Sequence, residues 1–399
     1  MPKLNDYCQF NGRHWETGTV CNFYDYRGVK APHTNEPYSE AFFLGVSGGI
    51  VMGYFVFAYE GYDPHARILT RNTFDPWDTF LSRLGVVQHI HHTNKAEKGL
   101  ANLLDTLEEG LPAIVWADLF SLPYNAIPPD EGMWGMMPVL VYGHDDDAVW
   151  IADRARVPLT IMPDELTKAR ARVKQVKFRV VTLEPPDEGK LATAVTQGIW
   201  DCINLFTEKP PKGSKNNFGF AAYQFWADML VKPKAKRSWT KEFPAGSNLY
   251  AGLTSAFTDI HIFGKNGNAE RTLYADFLGE ASLILDKPAL KPIAQQFRTS
   301  AAAWDELGLA LLPDDVPLLQ ETRQLMLQSH QLFLEKGNKS LAEREEINGR
   351  LAAIKAELAA NSPLNDAEVQ ALQENISAKI LAIHDIEQKA IAALQDAMA

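Results

Sequence analysis

The stretch Gln9-Phe10-Asn11-Gly12-Arg13-His14-Trp15-Glu16-Thr17 runs directly into a helix-like segment over 18–26. Its counterpart lies far downstream, in a strand–turn–strand over 137–153 that reads MPVLVYGHDDDAVWIAD. The order is that of a thiol site: an amide to hold an oxyanion (Gln9), a nucleophile opening a helix, a base on one strand and its orienting acid (Asp153) on the next. The nucleophile slot holds Trp15 and the base slot holds Met137. An indole offers an N–H donor and no nucleophile, and a thioether takes no proton at neutral pH. A mixed helix-and-strand domain is expected here, with its covalent chemistry removed.

Outward from this stretch the chain keeps mixing helix and strand. Gly28 ends the first helix. A short helix over 75–84 places Trp77, Phe80, Leu81 and Leu84 on one face. Over 94–109, Leu100, Leu103, Leu104 and Leu107 recur at helical spacing and Gly110 closes the run. Residues 112–116 read as an apolar strand, 138–142 and 148–152 as a hairpin around 144–147, and 175–183 as a further strand. The linker EPPDEG (184–189) then gives way to helical patterns over 190–207, 218–230, 247–263, 271–285, 290–310 and 318–335. In the last sixty residues Ile347, Leu351, Ile354 and Leu358 form a seam that Val369, Leu372, Ile376, Ile380, Ile383, Ala390 and Leu394 continue. Residues 361–366, NSPLND, stop one helix and cap the next. The expected fold class is α+β. The division is 1–185, 186–337 and 338–399, the last an antiparallel coiled-coil-like hairpin. Its apolar seam must pack on itself, on the body, or on a second copy through 339–399.

Composition narrows the function classes. The 399 residues exceed one ordinary core. A formal net charge of −11 argues against nucleic acid and anionic membranes as partners. Three cysteines, Cys8, Cys21 and Cys202, make no disulfide framework. The opening residues MPKLND lack the apolar core of a signal peptide, so a cytoplasmic location is expected. Residues 41–59 carry no charge and are long enough to span a bilayer, but Gly45, Gly48, Gly49 and Gly53 and the lack of a flanking Lys/Arg cluster read as a buried, kinked core segment rather than a span.

Several side chains compete for a chemical role. Cys8 and Cys21 are the alternative nucleophiles, and His14 and His144 the alternative bases. Cys21 is six positions past Trp15, which turns it toward a core. Asp145, Asp146 and Asp147 lack the glycine and distal glutamate of a calcium loop and read as a hairpin turn. His89 and His91 share a strand face, yet no further ligand follows at zinc spacing. No metal or cofactor is expected. The glycine turn at 264–268 precedes a helix start, where backbone N–H groups attract anions. Lys265 and Arg271 add charge there and are the candidate anion ligands.

The motifs GRHWET (12–17), SEAFFLGVSGGI (39–50), Leu84 with Gly85, DLFSLPY (118–124) and 137–153 follow one another in an order that resembles the butirosin biosynthesis protein H N-terminal family. The resemblance covers about 8–160. The stretches 264–281 and 301–307 resemble the uncharacterised helical domain that commonly follows it. The resemblance implies a papain-like (cysteine-peptidase-like) first domain and acyl transfer from a carrier-protein thioester to an amine. An acyl carrier protein or a small-molecule amine is the partner it implies. In the family pattern a Cys stands at 15 and a His at 137; this chain departs at both and keeps Asp153. The expected function is that of a degenerate relative that binds a ligand or carrier through Gln9, Trp15, Met137 and Asp153. Two alternatives stay open: an acyltransferase or amide hydrolase with another nucleophile, and a scaffold acting through the terminal helices.

Overall fold

Every residue of the strand Ala113–Asp118 is buried, as an apolar run bounded by turns requires when both sheet faces are covered. It lies inside a six-stranded sheet, in the order Gln88–His91, Val180–Leu183, Ala113–Asp118, Met136–His144, Val149–Ala152 and Leu159–Ile161, antiparallel throughout. The computed structural model describes residues 2–128, 130, 132–172, 174–263 and 267–399. Helix and strand both contribute, and the class is α+β.

The chain falls into two units. The first takes the chain up to Glu40, Leu81–Glu188 and Gln328–Glu346; the second takes Ala41–Phe80, Gly189–Leu327 and Ile347–Ala399. These bounds cut across a division at 185 and 337: residues 41–80 fold with the second unit, and 328–346 with the first.

In the first unit the helix Trp15–Tyr26 packs against the strand Met136–His144. Two buried side chains fasten the segment that enters this helix. Asn22 Oδ1 accepts from the backbone N–H groups of Asn11 (3.2 Å) and Gly12 (2.9 Å). The Glu40 carboxylate accepts from the N–H groups of Arg13 (2.9 Å) and His14 (3.0 Å) and from the Thr17 hydroxyl (3.2 Å). A carboxylate at a helix start satisfies orphan donors and opposes the positive end of the dipole. The entry is so close to the helix that a Cβ on Gly12 would lie 2.4 Å from the Gly18 carbonyl oxygen. The segment Gln328–Glu346 docks on the edge strand Leu159–Ile161. Asn338 accepts from Thr160 N–H (3.0 Å) and donates to its carbonyl (2.7 Å). The Asp145 turn is as read: its Oδ1 accepts from the N–H groups of Asp147 and Ala148.

The second unit is helical around one antiparallel ribbon, Ile50–Phe57 with His65–Arg71. The charge-free run beginning at Ala41 is a glycine-kinked core segment as far as Val56, with a short helix, a turn at Gly48 and Gly49 with φ of 106° and 68°, then the first ribbon strand; residues 57–59 are exposed. Among the described residues no helix is long and apolar enough to cross a membrane. Asn365 caps the helix Asp366–Met398 in a complete capping box with Glu368. That helix does not close a hairpin on its predecessor. Its seam residues Ile376, Ile380, Ile383, Ala390 and Leu394 are buried, and the helix packs on Leu290–Leu311 and Gly219–Val231. Of the three surfaces open to this seam, the structure uses the body of the second unit, and the helices do not pair as a coiled-coil hairpin.

At the centre, Arg271 and Glu387 are both fully buried. Glu387 Oε1 accepts from Arg271 Nε (2.7 Å), Ser300 Oγ (2.6 Å) and Trp304 Nε1 (3.0 Å). Its Oε2 accepts from the Tyr223 hydroxyl (2.5 Å) and Arg271 Nη2 (3.1 Å). Arg271 donates its remaining hydrogens to the carbonyls of Val51, Thr70 and Ala269. Burial alone would raise the Glu387 carboxyl, but the Arg271 charge and these donors hold it below its ordinary value. Arg271 is thus unavailable to an outside anion, which corrects its expected role; Lys265 lies outside the described residues.

Removing one partner leaves an uncompensated buried charge. Glu387→Ala should cost about 3–5 kcal/mol in urea unfolding, and Arg271→Met with Glu387→Leu should cost less than the two single changes added. Since Glu387 titrates lower in the folded state, its contribution should be intact above pH 4.5 and fall away as the pH drops below that. A Glu387→Ala protein as stable as the parent would refute the assignment.

Candidate functional site

Trp15 opens the helix Trp15–Tyr26 and is 8% exposed. His14 caps that helix: its Nδ1 accepts from Glu16 N–H at 3.4 Å, and its ring meets the indole edge-on at 5.7 Å. Four residues on, on the same helical face, the Thr19 hydroxyl donates to the Pro138 carbonyl at 3.4 Å. The start of the strand carrying Met137 therefore runs beside the face that carries Trp15. Met137 is half-buried and stands opposite Ala117 in the sheet.

Asp153 is 4% exposed and already engaged. Its Oδ2 accepts from the Tyr124 hydroxyl (3.2 Å) and Arg154 Nη2 (3.2 Å), and its Oδ1 from Arg154 Nε (3.3 Å). Arg154 in turn lies over the Trp15 ring, 4.3 Å from its centroid, and over the Phe333 ring at 5.0 Å. Such stacking contributes about 0.5–2 kcal/mol. The Asp153 carboxylate thus fixes a guanidinium on the indole. Burial, then the Asp153 charge, raises the Tyr124 phenol far above its usual range, so it serves as a hydrogen-bond donor only.

The other candidates do not converge on Trp15. Gln9 turns back on its neighbour: its Oε1 accepts from Cys8 N–H (3.0 Å) and its Nε2 lies 3.4 Å from the Cys8 sulfur. Cys8 is exposed, Cys21 is buried in the helix, and Cys202 belongs to the second unit. Burial pushes the Cys202 thiol up to about 12. His144 is buried with Nδ1 lacking a partner among the described residues, and burial lowers its pKa. It sits seven residues along the strand from Met137, roughly 24 Å away at 3.4 Å per residue. The strand carrying His89 and His91 is as read, but His89 Nε2 pairs with Glu184 Oε1 at 2.9 Å. Among the described residues no three His, Cys, Asp or Glu side chains are grouped for a metal.

What the sequence reading missed is the positive charge gathered here. Arg13 Nη1 donates to the carbonyls of Phe10 and Gly12, and at 3.3 Å to that of Arg154. Arg344 donates to the carbonyls of Tyr124 and Asn125, both at 2.7 Å, and its guanidinium lies 5.0 Å from the Phe333 centroid. Arg13 and Arg154 adjoin the two motif positions and were open to notice. Arg344 is nearly two hundred residues away, and no local pattern marks it.

With this geometry in view, comparison with known families is informative. Residues 14–154 match the family described as Butirosin biosynthesis protein H, N-terminal, and residues 164–325 match a domain of unknown function, DUF4872. The comparison with curated proteins gives no match.

Thiol chemistry can be read directly. Alkylation of the native protein with iodoacetamide, followed by mass spectrometry, should modify Cys8 and leave Cys21 and Cys202 unmodified until the chain is unfolded. Rapid native labelling of Cys21 would reveal an open path to the helix interior and a nucleophile that the geometry above does not supply.

Proposed function

We propose that this chain, whose residues 14–154 belong to the butirosin biosynthesis protein H N-terminal family, is a catalytically silent, papain-like relative of an acyltransferase that retains a ligand- or carrier-binding role. The observation that carries this reading is the triad of contacts at Asp153: Tyr124 and Arg154 take its carboxylate, and Arg154 covers the indole at the nucleophile position. Acyl transfer through a thioester needs a nucleophile, a base to accept its proton and donors for the oxyanion. Trp15 and Met137 supply neither of the first two, and the Gln9 amide is turned to Cys8. What the site can still do is bind. An acyl-carrier arm and a small-molecule amine are the two ligand classes that the family relationship suggests.

An active enzyme with another nucleophile gains no support from the positions of the cysteines. A scaffold acting through the terminal helices loses its main argument, because the seam that would be its contact surface is buried within the second unit.

The test is thioester turnover. A short-chain acyl N-acetylcysteamine thioester, offered with a primary amine, should be consumed at the buffer rate, and no acyl adduct should appear on the protein mass. Turnover above that rate which Cys8→Ser or Cys21→Ser abolishes would defeat the reading.

A further inference from the structure

Arg13, Arg154 and Arg344 are joined by direct contacts: Arg13 to the Arg154 carbonyl, and Arg154 and Arg344 to one aromatic ring, Phe333. The last two guanidinia can be no further apart than the sum of their distances to that ring. Arg156 follows two residues after Arg154, and its N–H donates at 2.7 Å to the carbonyl of Leu334, the neighbour of Phe333. Its side chain is exposed and has no acceptor among the described residues. Arg344 is buried, 7% exposed, and its Nε has no acceptor among the described residues.

Two carboxylates contact this group of arginines or its backbone, Asp153 and Glu40. Asp153 is taken by Arg154, and Glu40 receives the backbone of Arg13 and His14. Arg13 and Arg344 donate instead to backbone carbonyls, which carry no formal charge to offset theirs. The neighbours feel this concentration of positive charge. His330 has its pKa lowered to about 4, first by burial and then by the charges of Arg154, Arg344, Arg13 and Arg156. Arg344 is lowered to about 10 by burial and by Arg154, and Arg13 is lowered by burial and by Arg156. In a chain of net charge −11 four arginine charges acting on one histidine mark a local concentration of positive groups. Like charges held together cost stability unless something of opposite sign completes them. Guanidinium forks match the planar pairs of oxygens on carboxylates and phosphates.

We infer that Arg13, Arg154, Arg156 and Arg344, gathered around Trp15 and Phe333, form a binding site for a ligand oxyanion, a carboxylate or a phosphate. The inference deepens the proposed ligand-binding role and rests on it for the site being a ligand site. It selects between the two ligand classes: an amine, cationic at neutral pH, is repelled here, and an anion-bearing ligand is drawn in.

Isothermal titration of the full chain with inorganic phosphate, acetate, 4′-phosphopantetheine and spermidine tests this. Arg156→Glu is the chosen variant, since Arg156 has no side-chain partner whose loss would unfold the protein. Its unliganded melting temperature should match that of the parent. Saturable binding of phosphate, of acetate or of both is expected, weakened about tenfold or more in Arg156→Glu, which corresponds to about 1.4 kcal/mol. Phosphate and phosphopantetheine binding without acetate assigns a phosphate ester; acetate alone assigns a carboxylate. Spermidine binding with neither anion overturns the inference, as does anion binding that Arg156→Glu leaves unchanged or the absence of any binding. Thioester turnover is read separately, so a failure here leaves the loss of acyl transfer standing.

Discussion

A carboxylate without water must be surrounded by donors, and Glu387 meets that demand from three neighbouring helices. Its oxygens take Arg271, Tyr223, Ser300 and Trp304, and Arg271 reaches on to the carbonyls of Val51, Thr70 and Ala269. The donors come from three helices of the second unit: Tyr223 from Gly219–Val231, Arg271 from Arg271–Ile284, and Ser300 and Trp304 from Leu290–Leu311. The helices Gly219–Val231, Arg271–Ile284, Leu290–Leu311 and Asp366–Met398 must therefore meet in one register with the ribbon between Ile50 and Arg71. An apolar core tolerates small slides; a buried ion pair with every hydrogen assigned does not.

The first unit handles its buried acids by the same rule, and there the rule decides chemistry. Glu40 serves the start of the helix that carries Trp15. Asp153 serves Arg154 and Tyr124. In a working thiol site an acid of this kind orients an imidazole. With a thioether at 137, no imidazole stands at that position to be oriented, and an unpaired carboxylate at 4% exposure would be costly. Arg154 pairs with it and stacks on the Trp15 indole. The pairing at 153 and the ring at 15 are in this sense one arrangement.

The sequence carried a good part of this. Periodicity located the helices and the inner strands, since a leucine run such as 100–107 or an apolar run such as 112–116 has few other ways to be buried. The Asn365 cap and the Asp145 turn were legible because their hydrogen bonds are made within three residues. Arg271 was misjudged for the opposite reason. A charged residue at a helix start looks solvent-facing until Glu387, 116 residues away, is found against it. The terminal seam was seen correctly as apolar, but periodicity cannot say which surface an apolar stripe covers.

By itself the sequence determined the composition of the candidate site, an amide, an indole, a thioether and a carboxylate at 9, 15, 137 and 153. It also determined the class of fold, because hydrophobic spacing is a local property. Only the tertiary structure decided how charge is distributed over those residues. Arg344 and His330 reach the neighbourhood of Trp15 through a segment that docks on the edge of the sheet. Coulomb energy depends on distance in space, and separation along the chain says nothing about that until the chain is folded.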